Sequence, residues 1–195
     1  MKTSINNCQI EVLIGNISDL PKAVDALVSS DDNYLSAGGG VSLALLEAAA
    51  DKSVRTEMDR HVWGGAPQSR EESLLEAGDV VVTSAGKLRA KYLIHAVSLD
   101  FDRNLLATAE IVERATKRCL EKAAELSVTS IAFPAIGSGL AELSFMDSAR
   151  AMCSTISDFL SHTDSGLSEI SLVAFENEAG DALQAALNEA VAGTS

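Results

Sequence analysis

The chain has 195 residues, enough for one domain with a core of its own. Its hydrophobic content of 47% excludes a disordered chain, and no apolar run approaches the ~20 residues of a membrane helix. With 28 Asp and Glu against 15 Lys and Arg, the formal net charge is -13, which argues against nucleic-acid binding through clustered cations. A small anionic ligand remains compatible with that charge, because backbone N–H groups can supply a local positive field. Cys8, Cys119 and Cys153 are odd in number and lack metal-ligand spacing, so buried free thiols in a reducing cytoplasm are expected and no metal is. The polar start, residues 1–9, has no signal-peptide h-region.

Residues 9–14 alternate imperfectly and predict a strand ending at Gly15. A loop follows, with Pro21 before a second strand over 24–28. Residues 29–36 read as a polar loop, and Gly38, Gly39 and Gly40 precede a helix over 41–50. A polar helical segment runs from 51 to about 61, broken over 63–67. Strands over 80–84 and 92–97, joined by a short turn, predict a locally antiparallel pair. A long helix is expected from about 105 to 126, with Ile111, Val112, Ala115, Cys119 and Ala123 on one face. A buried strand over 130–134 leads into a small-residue loop, 135–141. Ser144 and Asp147 have the spacing that starts a helix. A last strand over 170–175 and a terminal helix marked by Ala179, Leu183, Leu187 and Val191 complete the chain. The alternation predicts an α/β fold: a three-layer α/β/α sandwich with a mixed, mostly parallel sheet.

Two strand–glycine loop–helix units stand out, at 38–41 and 135–141. Glycine runs at a helix start leave free N–H groups at the positive end of the helix dipole. Each could be a tight turn or an anion site. On neighbouring strands, two of them could grip a diphosphate from both sides. No P-loop and no dinucleotide fingerprint is present.

These residues resemble the macrodomain family over nearly the whole chain. Gly15-Asn16-Ile17-Ser18 is similar to the family's Gly-Asp-Ile-Thr. Asp25-Ala26-Leu27-Val28 with Gly38-Gly39-Gly40-Val41 is similar to its Asp-Ala-Ile-Val and Gly-Gly-Gly-Val. Leu93-Ile94-His95-Ala96-Val97 resembles its central strand, and Phe133-Pro134-Ala135-Ile136-Gly137-Ser138-Gly139 its second phosphate loop. The resemblance implies one macro domain over 1–195, whether alone or cut from a longer chain. It also implies a ligand, ADP-ribose or a derivative, free or protein-linked, with no further cofactor. Carried over, Asn16 and Ile17 would meet the adenine and Phe175 would stack on it, unless Phe175 simply packs. Gly38, Gly39, Gly40 and Val41 would line the distal ribose and one phosphate. Ala135, Gly137, Ser138, Gly139, Leu140 and Ala141 would wrap the diphosphate.

Several positions depart from the pattern. Asn16 stands where the family usually has Asp, and can donate as well as accept. Asn-Ala-Ala-Asn is replaced by Ser29-Ser30-Asp31-Asp32, followed by Asn33. Ser42 replaces the aspartate that positions water in hydrolytic members, and a serine needs a base beside it. Asp31 and Asp32 could activate a water, contact ribose hydroxyls, or merely favour a turn. Asn33 is included among the ligand-binding candidates. His95, inside an apolar run, reads as a core histidine. The expectation is a reader or sensor module for signalling. The competing one is a hydrolase of ADP-ribosyl or O-acetyl-ADP-ribose bonds that uses Asp31 or Asp32.

Overall fold

The computed structural model describes residues 2–64 and 72–193. Seven strands form one sheet: β1 (Lys2–Ile5), β2 (Cys8–Ile14), β3 (Ala26–Asp32), β4 (Val80–Ser84), β5 (Tyr92–Leu99), β6 (Ser130–Pro134) and β7 (Glu169–Ala174). Their spatial order is β1-β2-β7-β6-β3-β5-β4. The inner pairs are parallel, and β1 and β4 run antiparallel at the edges. The α/β/α sandwich with a mixed, mostly parallel sheet is therefore the observed fold. Five helices cover it: α1 (Gly40–Ala49), α2 (Lys52–Trp63), α3 (Ala109–Glu125), α4 (Phe145–His162) and α5 (Asn177–Ala192).

Side-chain alternation divides the sheet between two cores. Val28, Ile94, Ile131, Phe133 and Leu172 face α3, α4 and α5, where Val112, Met152 and Leu183 are fully buried. Leu27, Leu93, Val97, Ala132 and Val173 face α1 and α2, against Leu45, Val54 and Met58. The predicted inner faces of α3 and α4 are buried throughout, as is the predicted face of α5 as far as Leu187. Ser144 caps α4 by accepting from the Asp147 amide at 3.1 Å and donating to its carboxylate at 2.7 Å. All three cysteines are free and buried. Burial, helped by the charge of Glu169, pushes the Cys8 thiol up to about 11, and burial pushes Cys153 up to about 12.

The structure corrects several boundaries. β1 lies in the polar start and carries no apolar pattern beyond Ile5. β3 does not end at Val28; it continues through the supposed loop residues to Asp32. α2 includes Trp63 and stops at Gly64, whose φ of 71° suits glycine. The rest of the predicted break, Gly65, Ala66 and Pro67, lies outside the described residues. α3 starts four residues late, because Thr108 supplies its cap and Leu105 forms an isolated bridge with Asp100. Phe175 lies just past β7.

Asp25 closes the amino-terminal rim of the sheet. Its Oδ2 accepts from Thr129 N at 2.8 Å and Thr129 Oγ1 at 2.9 Å, while Oδ1 meets Lys91 Nζ at 2.7 Å. One carboxylate thus ties the approach to β3 to those of β6 and β5. Lys91 first, then the Thr129 amide, hold this carboxyl far below the ordinary carboxylate range. A depressed folded-state pKa adds stability that is present above pH ~4 and is lost as pH falls below it. Asp25→Ala is expected to cost about 1–3 kcal/mol in urea denaturation at neutral pH. The gap from wild type should narrow as pH falls toward ~3.

Candidate functional site

The crevice opens where β3 and β6 part. These neighbours share only two register pairs, Ala26 with Ile131 and Leu27 with Ala132, whereas β3 stays paired with β5 through Asp32. The Ser130 carbonyl accepts from the Asp25 amide, so alternation turns the backbone of Ala132 and Pro134 toward β3 as well. Pro134 has no N–H to continue the ladder. Beyond the last pair lies a cleft of about 540 Å³ at the carboxyl ends of the strands.

The first wall is the loop from β3 to α1. Asp32 staples it: Oδ1 accepts from Tyr34 N at 2.8 Å and Ser36 N at 3.2 Å, and Oδ2 accepts from Ser36 Oγ. Arg55 of α2 donates to the carbonyls of Leu35 and Ser36 at 2.8 and 3.2 Å. These bonds hold Leu35 and Ala37 in the left-handed region, at φ 47° and 52°. The chain then runs through Gly38 to Gly39, the cap of α1, which brings no side chain to the helix start. The amides of Gly39, Gly40, Val41 and Ser42 bond to nothing among the described residues. Ser42 Oγ is turned back, donating to the Gly39 carbonyl at 3.0 Å.

The second wall is the loop from β6 to α4. Gly137 sits at φ 78°, and a Cβ there would lie 2.8 Å from the Cβ of Ala107, so only glycine fits. Its amide donates to Ser30 Oγ at 3.2 Å, which pins this loop to β3 across the open ladder. Ser138 Oγ donates to the Ala135 carbonyl at 2.9 Å, and Glu142 N to the Gly139 carbonyl at 3.0 Å. The amides of Gly139, Leu140 and Ala141 are left without a partner among the described residues. Two loops, one ending at the start of α1 and one turning three residues before the cap of α4, therefore bring unpartnered N–H groups to one cleft, an arrangement suited to an anion with two charged groups.

Asn16, Ile17, Asp31, Asp32, Gly38, Gly39, Gly40, Val41, Ala135, Gly137, Ser138, Gly139, Leu140, Ala141 and Phe175 all line this cleft. Ile17 is at the same time part of the core under α1. Phe175 is 76% exposed, so packing in the core does not account for it. Asn33 does not line the cleft. It is fully buried, donating to Asp102 Oδ2 at 2.7 Å and accepting from Phe101 N at 3.0 Å. Asp31 and Asp32 are not solvated loop aspartates: both belong to β3 and are buried.

Asp31 differs from its neighbour in having an unused oxygen. Oδ2 lies 3.0 Å from His95 Nδ1, and His95 Nε2 lies 3.0 Å from Thr83 Oγ1, all of it buried. His95 is thus a satisfied core residue that also backs a cleft carboxylate. Oδ1 of Asp31 is buried with no partner among the described residues. A lone buried acceptor of this kind favours a hydroxyl or water donor.

Ser30, Ser98, Phe145 and Glu176 also line the cleft and were not anticipated. Strand alternation carried past Val28 and Val97 is the signal that would have found the two serines. Their hydroxyls stand 3.1 Å apart, and Ser98 donates to the Asp31 carbonyl at 3.3 Å.

A covered, mostly parallel sheet with a crevice at the carboxyl edge of its strands defines an α/β protein of the class whose ligands bind at that edge. The Macro domain family model matches residues 28–152, and the chain belongs to the macro domain family. An uncharacterized protein of Sulfolobus acidocaldarius is 36% identical over 151 residues, 77% of each chain. The O-acetyl-ADP-ribose deacetylase of Salmonella typhimurium is 32% identical over 158 residues, 78% of this chain and 79% of its own. A macrodomain mutant of Oceanobacillus iheyensis, solved with ADPR, superposes with a TM-score of 0.82 at 25% identity, covering 98% of each chain.

Asn33 joins the β3 end to the segments around Ser73 and Asp102, since its carbonyl also accepts from Ser73 Oγ at 2.5 Å. Asn33→Ala is expected to destabilise the fold by about 1–3 kcal/mol, because the fully buried Asn33 carboxamide loses its bonds to the Phe101 amide and to Asp102 Oδ2, which keeps only the Ser73 amide. Urea denaturation followed by circular dichroism measures this.

Proposed function

We propose that this cleft binds ADP-ribose or an ADP-ribose derivative, free or attached to a protein, and that the domain acts as a reader or sensor. The observation that carries the reading is the pair of facing loops whose amides, from Gly39 to Ser42 and from Gly139 to Ala141, have no partner among the described residues. A diphosphate is the ligand group with charge on both sides to meet them. Phe175, exposed at one end, offers a face for the base, and Asp31, at the inner end, offers an acceptor for a sugar hydroxyl. The solved relative holding ADPR supports the same ligand class. The buried thiols fit a reducing cytoplasm as the place of action.

A Cβ on Gly39 or Gly139 meets nothing within 4 Å, so the fold tolerates a side chain at either position. Gly39→Glu and Gly139→Glu are each expected to weaken ADP-ribose binding at least about a hundredfold, by occupying the diphosphate space with like charge. Melting temperatures should stay within a few degrees of wild type. Calorimetric titration of ADP-ribose measures the first, and wild-type affinity in both variants would overturn the reading.

A second reading has one observation behind it. Asp31, backed by His95 and with Oδ1 unpaired among the described residues, is a carboxylate that could take a proton from a water admitted beside it from the cleft. The named Salmonella relative makes an ester of ADP-ribose the substrate to try. Acetate release from O-acetyl-ADP-ribose separates the two. Turnover that Asp31→Asn lowers about a hundredfold or more, with ADP-ribose binding retained, would favour the hydrolase. The reader proposal expects no turnover above the uncatalysed rate.

A further inference from the structure

The loop from β3 to α1 is held from outside the cleft. The amides from Ala37 to Ser42 donate to nothing among the described residues, so no ladder fixes the entry to α1. The backbone just upstream sets their direction. There Leu35 and Ala37 take φ of 47° and 52°. That left-handed region is disfavoured roughly five- to thirtyfold for a residue with a Cβ. It persists only where the surroundings over-determine it. Asp32 acts on the amide side, accepting from Tyr34 N and Ser36 N. Arg55 acts on the carbonyl side: Nη1 donates to the Leu35 carbonyl at 2.8 Å and Nη2 to the Ser36 carbonyl at 3.2 Å. One planar group thus fixes the two peptide units that flank Ser36, between the two left-handed residues. Arg55 belongs to α2, and no residue of α2 lines the cleft. The Asp59 carboxylate is 4.0 Å from the guanidinium, so the short bonds of this side chain go to the loop rather than to a counter-ion.

We infer that Arg55 is a positioning residue for the anion site, acting from α2 through the backbone of Leu35, Ser36 and Ala37; the inference rests on the proposed nucleotide reading. Affinity scales with the fraction of molecules whose loop already has the binding conformation. Arg55 raises that fraction. Without it, Leu35 stays anchored by its fully buried side chain. Ala37 has only a methyl group to hold it, and it leaves the left-handed region and turns the glycine amides away from the cleft. The loss falls on ligand affinity more than on global stability, because the loop contributes few bonds of its own. A role of the guanidinium by charge alone is the competing account, and the two differ at position 37. A glycine there occupies the left-handed region without help, which restores the geometry and not the charge.

The test is calorimetric titration of the full chain with ADP-ribose in wild type, Arg55→Met, Ala37→Gly and the double variant, with thermal melts of each. Arg55→Met keeps an unbranched stem on α2 and is expected to bind at least about fivefold more weakly, melting within a few degrees of wild type. Adding Ala37→Gly to Arg55→Met is expected to recover at least about threefold more affinity than the same substitution gains in wild type. A smaller loss in Arg55→Met overturns the inference. A smaller recovery does so too, and assigns Arg55 a role by charge alone. A fall of more than about 10 °C in the Arg55→Met melt makes Arg55 a support of the whole fold and likewise overturns it. All three leave the nucleotide reading standing as long as wild type binds ADP-ribose; absence of wild-type binding removes the inference together with that reading.

Discussion

The site depends on a ladder that stops. β3 and β6 are neighbours in the middle of a parallel sheet, where pairing normally runs the length of both strands. Here it ends after Leu27 and Ala132. Pro134 is one reason, since it brings no N–H to the side that faces β3. The left-over width is bridged by a side chain instead, the Ser30 hydroxyl accepting from the Gly137 amide. A ladder bond would hold the strands ~4.8 Å apart; a serine hydroxyl and a glycine loop hold them further apart while still fixing their relation. The crevice is therefore a built separation, rigid on both sides, and the two helix starts beyond it inherit that rigidity.

An acidic chain that hosts an anion has to separate its global charge from its local field. The net charge of -13 is spread over exposed carboxylates, which salt screens within about 8–10 Å. Inside the cleft, the nearest carboxylates are handled one by one. Asp32 is surrounded by three donors of its own loop, so its charge goes into shaping the backbone that carries the glycines. One oxygen of Asp31 faces His95. The free amides at the rim then act as the dominant local dipoles, and their number comes from glycine-rich backbone with no capping side chain at α1.

Much of this was legible in the chain. Apolar runs located the interior strands, and the two glycine loops marked the walls of the cleft. The polar half of β3 was not legible. Ser29 to Asp32 have the composition of a loop, and they lie in a strand because their backbone pairs with β5 and because His95, Ser98 and the Gly137 amide, which bond to Ser30 and Asp31, come from elsewhere in the chain. Local pattern cannot register a polar group satisfied by a residue about 65 positions away, 64 in the case of His95 and 67 in that of Ser98. The same blindness applied to Asn33, whose position in a polar run suggested a ligand contact. Its bonds to Asp102 and the Phe101 amide, which only the folded chain brings near, make it a tie between segments. Edge strand β1, short and mostly polar, had no periodic signal to offer.

The departures from the family pattern reduce to a single open question once their bonds are counted. Asn16 spends its oxygen on the Ser18 amide. Asp32 spends both of its oxygens on the glycine loop. Ser42 directs its hydroxyl hydrogen to the Gly39 carbonyl and has no base beside it. Ser30 accepts from one wall of the cleft and stands 3.1 Å from Ser98, which in turn donates to the Asp31 carbonyl. Each polar replacement is thus committed to structure, and none retains both the geometry and the free lone pair that a proton acceptor needs. Asp31 Oδ1 is the exception: buried, at the cleft, unpaired and backed by an imidazole. Among the described side chains that line the crevice, Asp31 alone combines a buried, unpartnered oxygen with a second buried group that positions it, so it is the residue on which the hydrolase reading rests.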